Sequence, residues 1–145
     1  MIAALAAAFV ILTGAGAMAG DLDAVRWQYR PLLLFTPTGD TAQLSRQTTI
    51  LADNAAGLEA RRIAVYVVEE ASVFTTFGAP SPGADAQSLR RRFKVPDDRF
   101  RVVLIGLDGG AKLSEDQPIS AETLFNTIDA MPMRQRELRE RASGN

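Results

Sequence analysis

The sequence contains no cysteine and no histidine. Without cysteine the protein has no disulfide and no thiolate nucleophile, which excludes thiol redox chemistry. Without histidine it lacks the side chain that most often acts as a general base and as a ligand of transition metals. We therefore expect no catalytic triad, no metal site and no cofactor. The chemistry that remains is that of carboxylates, lysine and tyrosine, or binding without a reaction.

A large excess of charge of either sign is also missing. The chain has 16 basic and 17 acidic residues, which gives a formal net charge of −1. Proteins that bind nucleic acids usually carry a basic excess that neutralises phosphates. We therefore predict that nucleic acid is not a partner.

The first 20 residues carry no charged side chain, and residues 2–12 form an apolar run. This run is too short to span a membrane and has the length typical of a signal peptide. Small residues at positions 17–19 predict cleavage after Ala19, and hence a periplasmic or secreted protein without a stable membrane anchor. The predicted organisation is a signal peptide (1–19), one domain (20–137) and a polar tail (138–145). A retained single-pass anchor is the alternative, and the glycines at positions 14, 16 and 20 disfavour it.

The first half of the remaining chain has the pattern of a strand, a helix and a second strand. Residues 32–35 and 63–68 are continuous apolar runs, which are typical of strands covered on both faces. Between them, Asp40 is placed to cap a helix that continues to Leu58, with Gly57 near its end. A strand-helix-strand unit implies parallel strands and a right-handed crossover.

The second half begins with residues 71–84, which we predict to be a loop held by its aromatic residues. A helix beginning near Asp85 is expected to bury Leu89 and Phe93. The basic side chains of Arg90, Arg91, Arg92 and Lys94 are expected to lie mainly in solvent. These residues could dock an acidic partner, but a solvated helix face is the favoured interpretation. Two apolar runs joined by an Asp-Gly turn at residues 108–110 predict a hairpin. The last helix is predicted to begin at Ser120 and to stop or kink at Pro132.

The predicted order is β-α-β-α-β-β-α, which is an α/β fold with a mixed sheet flanked by helices. Its sheet would contain a parallel pair and an antiparallel hairpin, as in the thioredoxin fold. In that fold the redox cysteine follows the first strand, where the dipole of the next helix favours a thiolate. This sequence has Thr-Pro-Thr-Gly-Asp at residues 36–40. The reactive turn is therefore present without its nucleophile.

Three motifs resemble the domain of unknown function 4174 family: Trp27-x-x-Arg30, the hairpin sequence at 104–113 and Ile-Asp-Ala-Met-Pro-Met-Arg at 128–134. This thioredoxin-like family contains exported bacterial proteins, and the domain also occurs in animal extracellular proteins such as coiled-coil-domain-containing protein 80. The resemblance spans residues 21–137 and implies the fold and export, but no reaction. Within the motifs we select as family-motif residues Trp27, Arg30, Gly106, Asp108, Gly109, Lys112, Asp129, Met131, Pro132, Met133 and Arg134.

A second group of candidates follows from the predicted sheet. Thr36 and Asp40 are expected near the carboxyl end of the first strand, where ligands of open α/β sheets usually bind. Glu69 and Glu70 end the neighbouring strand, and one of them could join Asp40 in acid-base chemistry or hold a cation. The favoured role of Asp40 is a helix cap. Trp27 could stack on a ligand, but we predict that it packs in the core.

These observations favour a binding or structural module that acts through protein contacts and has no redox activity. The surfaces expected to bind a partner are residues 74–83 and the Met-Pro-Met-Arg segment at 131–134. Two flexible thioethers beside a proline suit an adaptable contact surface. The alternative is an enzyme that uses Asp40 with Glu69 or Glu70.

Overall fold

The computed structural model describes residues 22–39, 42–78 and 84–144. The predicted signal peptide, its cleavage site after Ala19 and the cap residue Asp40 lie outside the described residues. Within those ranges no helix has the length and hydropathy needed to cross a bilayer.

The described part of the chain forms a mixed sheet of five strands in the order β3-β2-β1-β4-β5. Strands β1 and β2 are parallel, with Thr36 opposite Glu69, and the other neighbours are antiparallel. The predicted parallel pair and the hairpin with its Asp-Gly turn are therefore confirmed. The strands are β1 (Arg30–Thr36), β2 (Ile63–Glu69), β3 (Ser72–Phe77), β4 (Arg101–Ile105) and β5 (Ala111–Glu115).

Helices cover both faces of this sheet. Alternate residues of β1 face opposite sides, so Leu32 and Leu34 join one core cluster while Leu33 and Phe35 join the other. The apolar run is continuous because both faces of the strand are buried, so no position faces solvent and needs a polar side chain. The helices are α1 (Ala42–Ala52), α2 (Ala55–Ala60), α3 (Ala86–Phe93), α4 (Ala121–Asp129) and α5 (Pro132–Ser143).

The prediction of a loop over residues 71–84 is wrong for its first half, which is strand β3. Its sequence, Ser-Val-Phe-Thr-Thr-Phe, consists largely of β-branched and aromatic residues, which fit a pleated surface. A tight turn joins it to β2, and Glu70 adopts a positive φ of 48° there. The strand was missed because it has neither a continuous apolar run nor a clean alternation.

The predicted single helix up to Leu58 is two helices, interrupted at Asp53 and Asn54. The Asn54 side-chain amide donates to the Ile50 carbonyl at 2.8 Å. Gly57 lies inside α2 and does not end it. A Cβ at this position would lie 2.5 Å from Cζ of Phe125, so the glycine makes room for the Phe125 ring between α2 and α4.

The last two helices meet at a short break. Ser120 caps α4, because its Oγ accepts from the Thr123 N–H at 3.1 Å. Pro132 follows the end of α4 and is the first residue of α5, where its missing N–H has no cost. The predicted tail beyond residue 137 continues α5 as far as Ser143.

Candidate functional site

The carboxyl ends of β1 and β2 are where the sequence suggested a crevice with acidic residues. Thr36 is buried and lies opposite Glu69, whereas Glu70 is exposed and accepts from Thr38 Oγ1 at 3.0 Å. Asp40 lies outside the described residues, so its distance to the two glutamates is not defined. Across the described ranges, no three acidic side chains are grouped in a way that could hold a metal ion.

Arg90 of helix α3 fills this end of the sheet, and the prediction that it faces solvent is wrong. It is 4% exposed, and its Nη2 donates to the carbonyls of Thr36 (3.2 Å) and Val68 (3.3 Å). Its Nη1 donates to the Pro96 carbonyl at 3.2 Å, and its guanidinium lies 5.7 Å from the Phe35 ring. The carbonyl of the last residue of β1 and that of the last but one residue of β2 therefore already have a charged donor.

Helical spacing could have identified Arg90 as a buried residue. Ala86, Leu89, Arg90 and Phe93 stand at i, i+3, i+4 and i+7, which is the spacing of a helix face turned toward a core. Its position in a run of basic residues suggested solvent instead. The long apolar stem of arginine packs in the core, and its head reaches the polar strand ends.

The opposite end of the sheet, at the start of β1, holds a cluster of ion pairs around Glu137 of α5. Arg30 Nη2 contacts Glu137 Oε1 at 3.1 Å, and Arg134 Nη1 contacts Oε2 at 3.1 Å. Arg62 also donates to Oε1. The side chains of Arg30 and Arg134 are 1% and 4% exposed, so Glu137 neutralises charges that are out of reach of water.

A second carboxylate, Asp129, completes this cluster. Arg61 binds it with two bonds of 3.0 and 2.8 Å, and Arg134 Nε adds a third at 3.2 Å. The Arg61 guanidinium also lies over the Phe125 ring at 4.0 Å. We call the set Arg30, Arg61, Arg62, Asp129, Arg134 and Glu137 the ion network.

The ion network lowers the pKa of both carboxylates. Burial alone would raise the pKa of Glu137, but the hydrogen bonds from Arg62, Arg30 and Arg134 outweigh it and lower that pKa from 4.5 to about 2. The hydrogen bond from Arg61 lowers the pKa of Asp129. Burial lowers the pKa of Arg30, and Glu137 opposes this effect. Both carboxylates are therefore ionised at neutral pH.

The structure brings the family-motif residues Arg30, Asp129 and Arg134 together in this network. The resemblance did not identify Arg61, Arg62 or Glu137. The pair of arginines directly before the buried strand β2 was the available signal, because charged residues at a strand's entry need partners.

A cavity of about 530 Å³ adjoins the ion network at the turn of the β4–β5 hairpin. We call it the motif pocket, because most of its lining residues are family-motif residues. Those residues are Arg30, Gly106, Leu107, Asp108, Lys112, Thr127, Ala130, Met131, Pro132 and Met133. Three separate segments of the sequence therefore form one concave surface with largely apolar walls.

Glycines shape the hairpin side of the motif pocket. A Cβ on Gly106 would lie 2.6 Å from Cε of Lys112, so the glycine lets the lysine cross the strand end. Lys112 Nζ then reaches Asp108 Oδ2 at 3.0 Å, and the other Asp108 oxygen accepts from the Gly110 N–H at 2.9 Å. The hydrogen bond from Gly110 and the one from Lys112 lower the pKa of Asp108. A charged pair thus stands beside the apolar walls.

Trp27 is 55% exposed, and the prediction that it packs in the core is wrong. Its φ of 68° is unusual for a bulky residue, and its backbone N–H donates to the Leu107 carbonyl at 2.8 Å. The ring lines a second groove of about 490 Å³ with Tyr29, Arg62 and Phe77. The backbone of Trp27 thus connects the N-terminal turn to the hairpin.

Comparison with curated proteins finds relatives that are much longer than this chain. The human (Homo sapiens) sushi repeat-containing protein SRPX is 33% identical over 140 residues, which cover 91% of this chain and 29% of that protein. The Rattus norvegicus SRPX is 31% identical over 137 residues, with the same shares covered. The chain therefore spans less than a third of the length of these relatives.

Comparison with solved structures shows the fold. The reduced 2-Cys peroxiredoxin of Plasmodium vivax superposes with a TM-score of 0.57 at 16% identity, over 79% of this chain and 84% of that chain. Plasmodium yoelii thioredoxin peroxidase I gives 0.57 at 15% identity, over 79% of each chain. The chain thus has a thioredoxin-like fold, and it contains no cysteine.

A family model agrees with the motifs and with the fold. The model for the domain of unknown function DUF4174 matches residues 21–137, which include the motif pocket, the ion network and the first half of helix α5. The chain belongs to the DUF4174 family.

Proposed function

We propose that the protein is an exported, non-catalytic binding module that holds a partner protein at the motif pocket. The observation that carries this proposal is the convergence of family-motif residues from three segments on one cavity of about 530 Å³. Cavities of roughly 300–1,000 Å³ with apolar walls and a few polar groups are typical ligand sites. The family-motif residues therefore line an open cavity, in addition to any role that they have in the core.

The lining of the pocket fits an apolar side chain presented by a partner protein. Met131 and Met133 are flexible and polarizable, so they adapt to different shapes. Lys112 and Asp108 stand at the edge of the pocket, and a polar rim around an apolar centre is the usual anatomy of protein interfaces. The ion network holds α5, and hence both methionines, in place.

The alternative function, an enzyme that uses Asp40 with Glu69 or Glu70, has less support. Glu70 is exposed and bound to Thr38, and Arg90 occupies the neighbouring strand ends. Purified protein is expected to neither reduce insulin nor consume peroxide. Reproducible turnover in either assay would contradict a non-catalytic role.

The binding proposal is tested by affinity capture with two matched variants. Met133→Glu places a charge in the motif pocket, whereas Leu138→Glu makes the same change at an exposed position of the same helix. Tagged full-length protein is incubated with the periplasmic and secreted fraction of the producing cells, and captured proteins are quantified by mass spectrometry.

We expect at least one protein that wild type and Leu138→Glu retain and that Met133→Glu loses. Its affinity is then measured with purified components, where Met133→Glu should bind more weakly by about tenfold or more, the equivalent of about 1.4 kcal/mol. Thermal unfolding of both variants shows that they are folded. Equal capture by all three proteins would discard the motif pocket as the binding surface.

A further inference from the structure

The two edges of the sheet are β3 on one side and β5 on the other. In the described part of the chain, no strand pairs with the outer side of either one. An edge strand presents unpaired N–H and C=O groups, which can hydrogen-bond to another strand. Natural proteins usually protect such edges with charges, prolines or bulges.

Strand β5 is protected by charge, and β3 is not. Lys112 and Glu115 lie within β5, and Asp116 follows it in an ion pair with Arg101 at 2.7 Å. Strand β3 has no charged residue and no proline along its length. The two edges of the same sheet therefore have opposite tendencies to pair.

Phe74 gives the β3 edge an apolar contact point. It lies opposite Val67 in the middle of β3 and is 51% exposed. Large hydrophobic side chains with such exposure are few among the described residues: Trp27, Phe74 and Leu138. A half-exposed phenylalanine on an uncharged edge strand offers a surface that another strand can complete.

We propose that the occupant of this edge is the β3 strand of a second copy of the chain, paired antiparallel across a two-fold axis at Phe74. Directly opposite residues of an antiparallel pair lie on the same face of the sheet. A two-fold axis between two successive residues would place side chains from opposite faces against each other, so the axis must pass through a residue. Centring the pair on Phe74 places the two aromatic rings opposite each other, which is a stabilising cross-strand contact. Val73 then lies opposite the partner's Thr75.

The chemistry of β3 favours its own copy as the partner. In a strand that pairs antiparallel with its own copy, the residue on the axis faces its symmetry mate, so a charged residue there would face a like charge. The uncharged sequence of β3 avoids this repulsion completely. Pairing across the axis also makes a closed, two-fold dimer, which leaves no further β3 edge free.

The geometry limits the strength of the dimer and its effect on the motif pocket. The β2–β3 ladder shifts register between Val65 and Tyr66, and Thr76 Oγ1 turns inward to the Val65 carbonyl at 3.2 Å. The regular part of β3 is therefore short, and we expect a dimer that depends on concentration. The motif pocket lies at the β4–β5 hairpin, near the edge of the sheet opposite β3. Pairing through β3 therefore leaves the pocket open in both copies.

The absence of cysteine permits a direct test of this register by single-cysteine crosslinking. At the proposed axis the two Cα atoms would be about 4.5–5.5 Å apart, which is within the range of a disulfide. Phe74→Cys should form a disulfide-linked dimer under mild oxidation. The matched control Ser114→Cys, at an exposed position of β5, should stay monomeric. Equal crosslinking of the two variants, or none in Phe74→Cys, would overturn the proposal.

A second measurement uses the wild-type protein and a charge substitution. Analytical ultracentrifugation of the wild type should show the mass doubling as the concentration rises. Phe74→Lys should raise the dimer dissociation constant by at least about tenfold, because two lysines would meet at the axis. Ser114→Lys should leave the dimer unchanged. A wild type that is monomeric at every concentration, or a dimer that only Ser114→Lys dissociates, would contradict pairing through β3.

Discussion

Both ends of the sheet bury arginine, but they neutralise it differently. At the carboxyl ends of β1 and β2, Arg90 donates to backbone carbonyls, and its nearest carboxylate, Asp97, is 3.5 Å away and 80% exposed. At the other end, Arg30 and Arg134 share the carboxylate of Glu137. The first end therefore relies on neutral acceptors, and the second relies on groups that must be ionised.

This difference separates the turn after β1 from the family-motif residues. In the thioredoxin fold the reactive turn follows the first central strand, and here Arg90 closes the strand ends beside that turn. The family-motif residues gather instead at the opposite end, where the ion network fixes α5 beside the motif pocket. The fold is similar to that of the peroxiredoxins, and the ion network lies at the end of the sheet opposite the turn after β1.

The largest effect is expected from removing the central carboxylate of the ion network. Glu137→Ala leaves Arg30 and Arg134 buried without their shared partner, and breaking a buried ion pair costs about 3–5 kcal/mol. Urea denaturation at pH 7 measures the free energy of unfolding. The control is Glu140→Ala, an exposed position on the same helix, where we expect a change within about 0.5 kcal/mol. Equal losses in the two variants would show that the ion network does not stabilise the fold.

Acid should weaken the same end of the molecule. Burial raises the pKa of Glu137, but the hydrogen bonds from Arg62, Arg30 and Arg134 lower it from 4.5 to about 2. Because the folded pKa is below the unfolded one, this stabilisation is complete above about pH 5 and is lost as the pH falls toward 2. The linked loss is about 3 kcal/mol.

The acid effect is measured as the free energy of unfolding between pH 7 and pH 3 in wild type and Glu137→Ala. The curve of the variant should be flatter, so the difference between the two proteins shrinks as the pH falls. A constant difference across this range would show that the pKa of Glu137 is the same in the folded and the unfolded protein.

The elements predicted from sequence are those set by local patterns. Strands β1 and β2 follow from continuous apolar runs, the hairpin follows from its Asp-Gly turn, and the start of α4 follows from Ser120. Each of these signals acts within a few residues. They were sufficient for the parallel pair, the hairpin and the thioredoxin-like order.

The predictions that failed depend on contacts between distant segments. Arg90 is buried because the strand ends of β1 and β2 offer carbonyls to it, and the helix alone does not show this. Strand β3 forms because β2 provides a partner, although its own pattern is ambiguous. Trp27 is exposed, and its backbone N–H donates to the carbonyl of Leu107, which precedes the hairpin turn.

The candidate site also depends on contacts between segments that are distant in the sequence. The family resemblance supplied the motif residues, but their meeting at one pocket is a property of the fold. Glu137 could be expected to interact only with residues of its own helix, whereas in the structure it reaches Arg30 at the start of β1. Local spacing cannot reveal a partner that the chain brings back from its other end.

Substitution of Arg90 tests the other half of the comparison. Arg90→Met keeps most of the apolar stem and removes the donors to the carbonyls of Thr36 and Val68. Hydrogen bonds from a charged donor contribute about 1.5–3 kcal/mol, and relief of the buried charge offsets part of this, so we expect a loss of about 2 kcal/mol. The loss should be the same at pH 7 and pH 4, because carbonyls do not titrate. Arg91→Met, at an exposed position of the same helix, should change stability little. A loss as small as that of Arg91→Met would mean that the carbonyls at the strand ends do not hold Arg90.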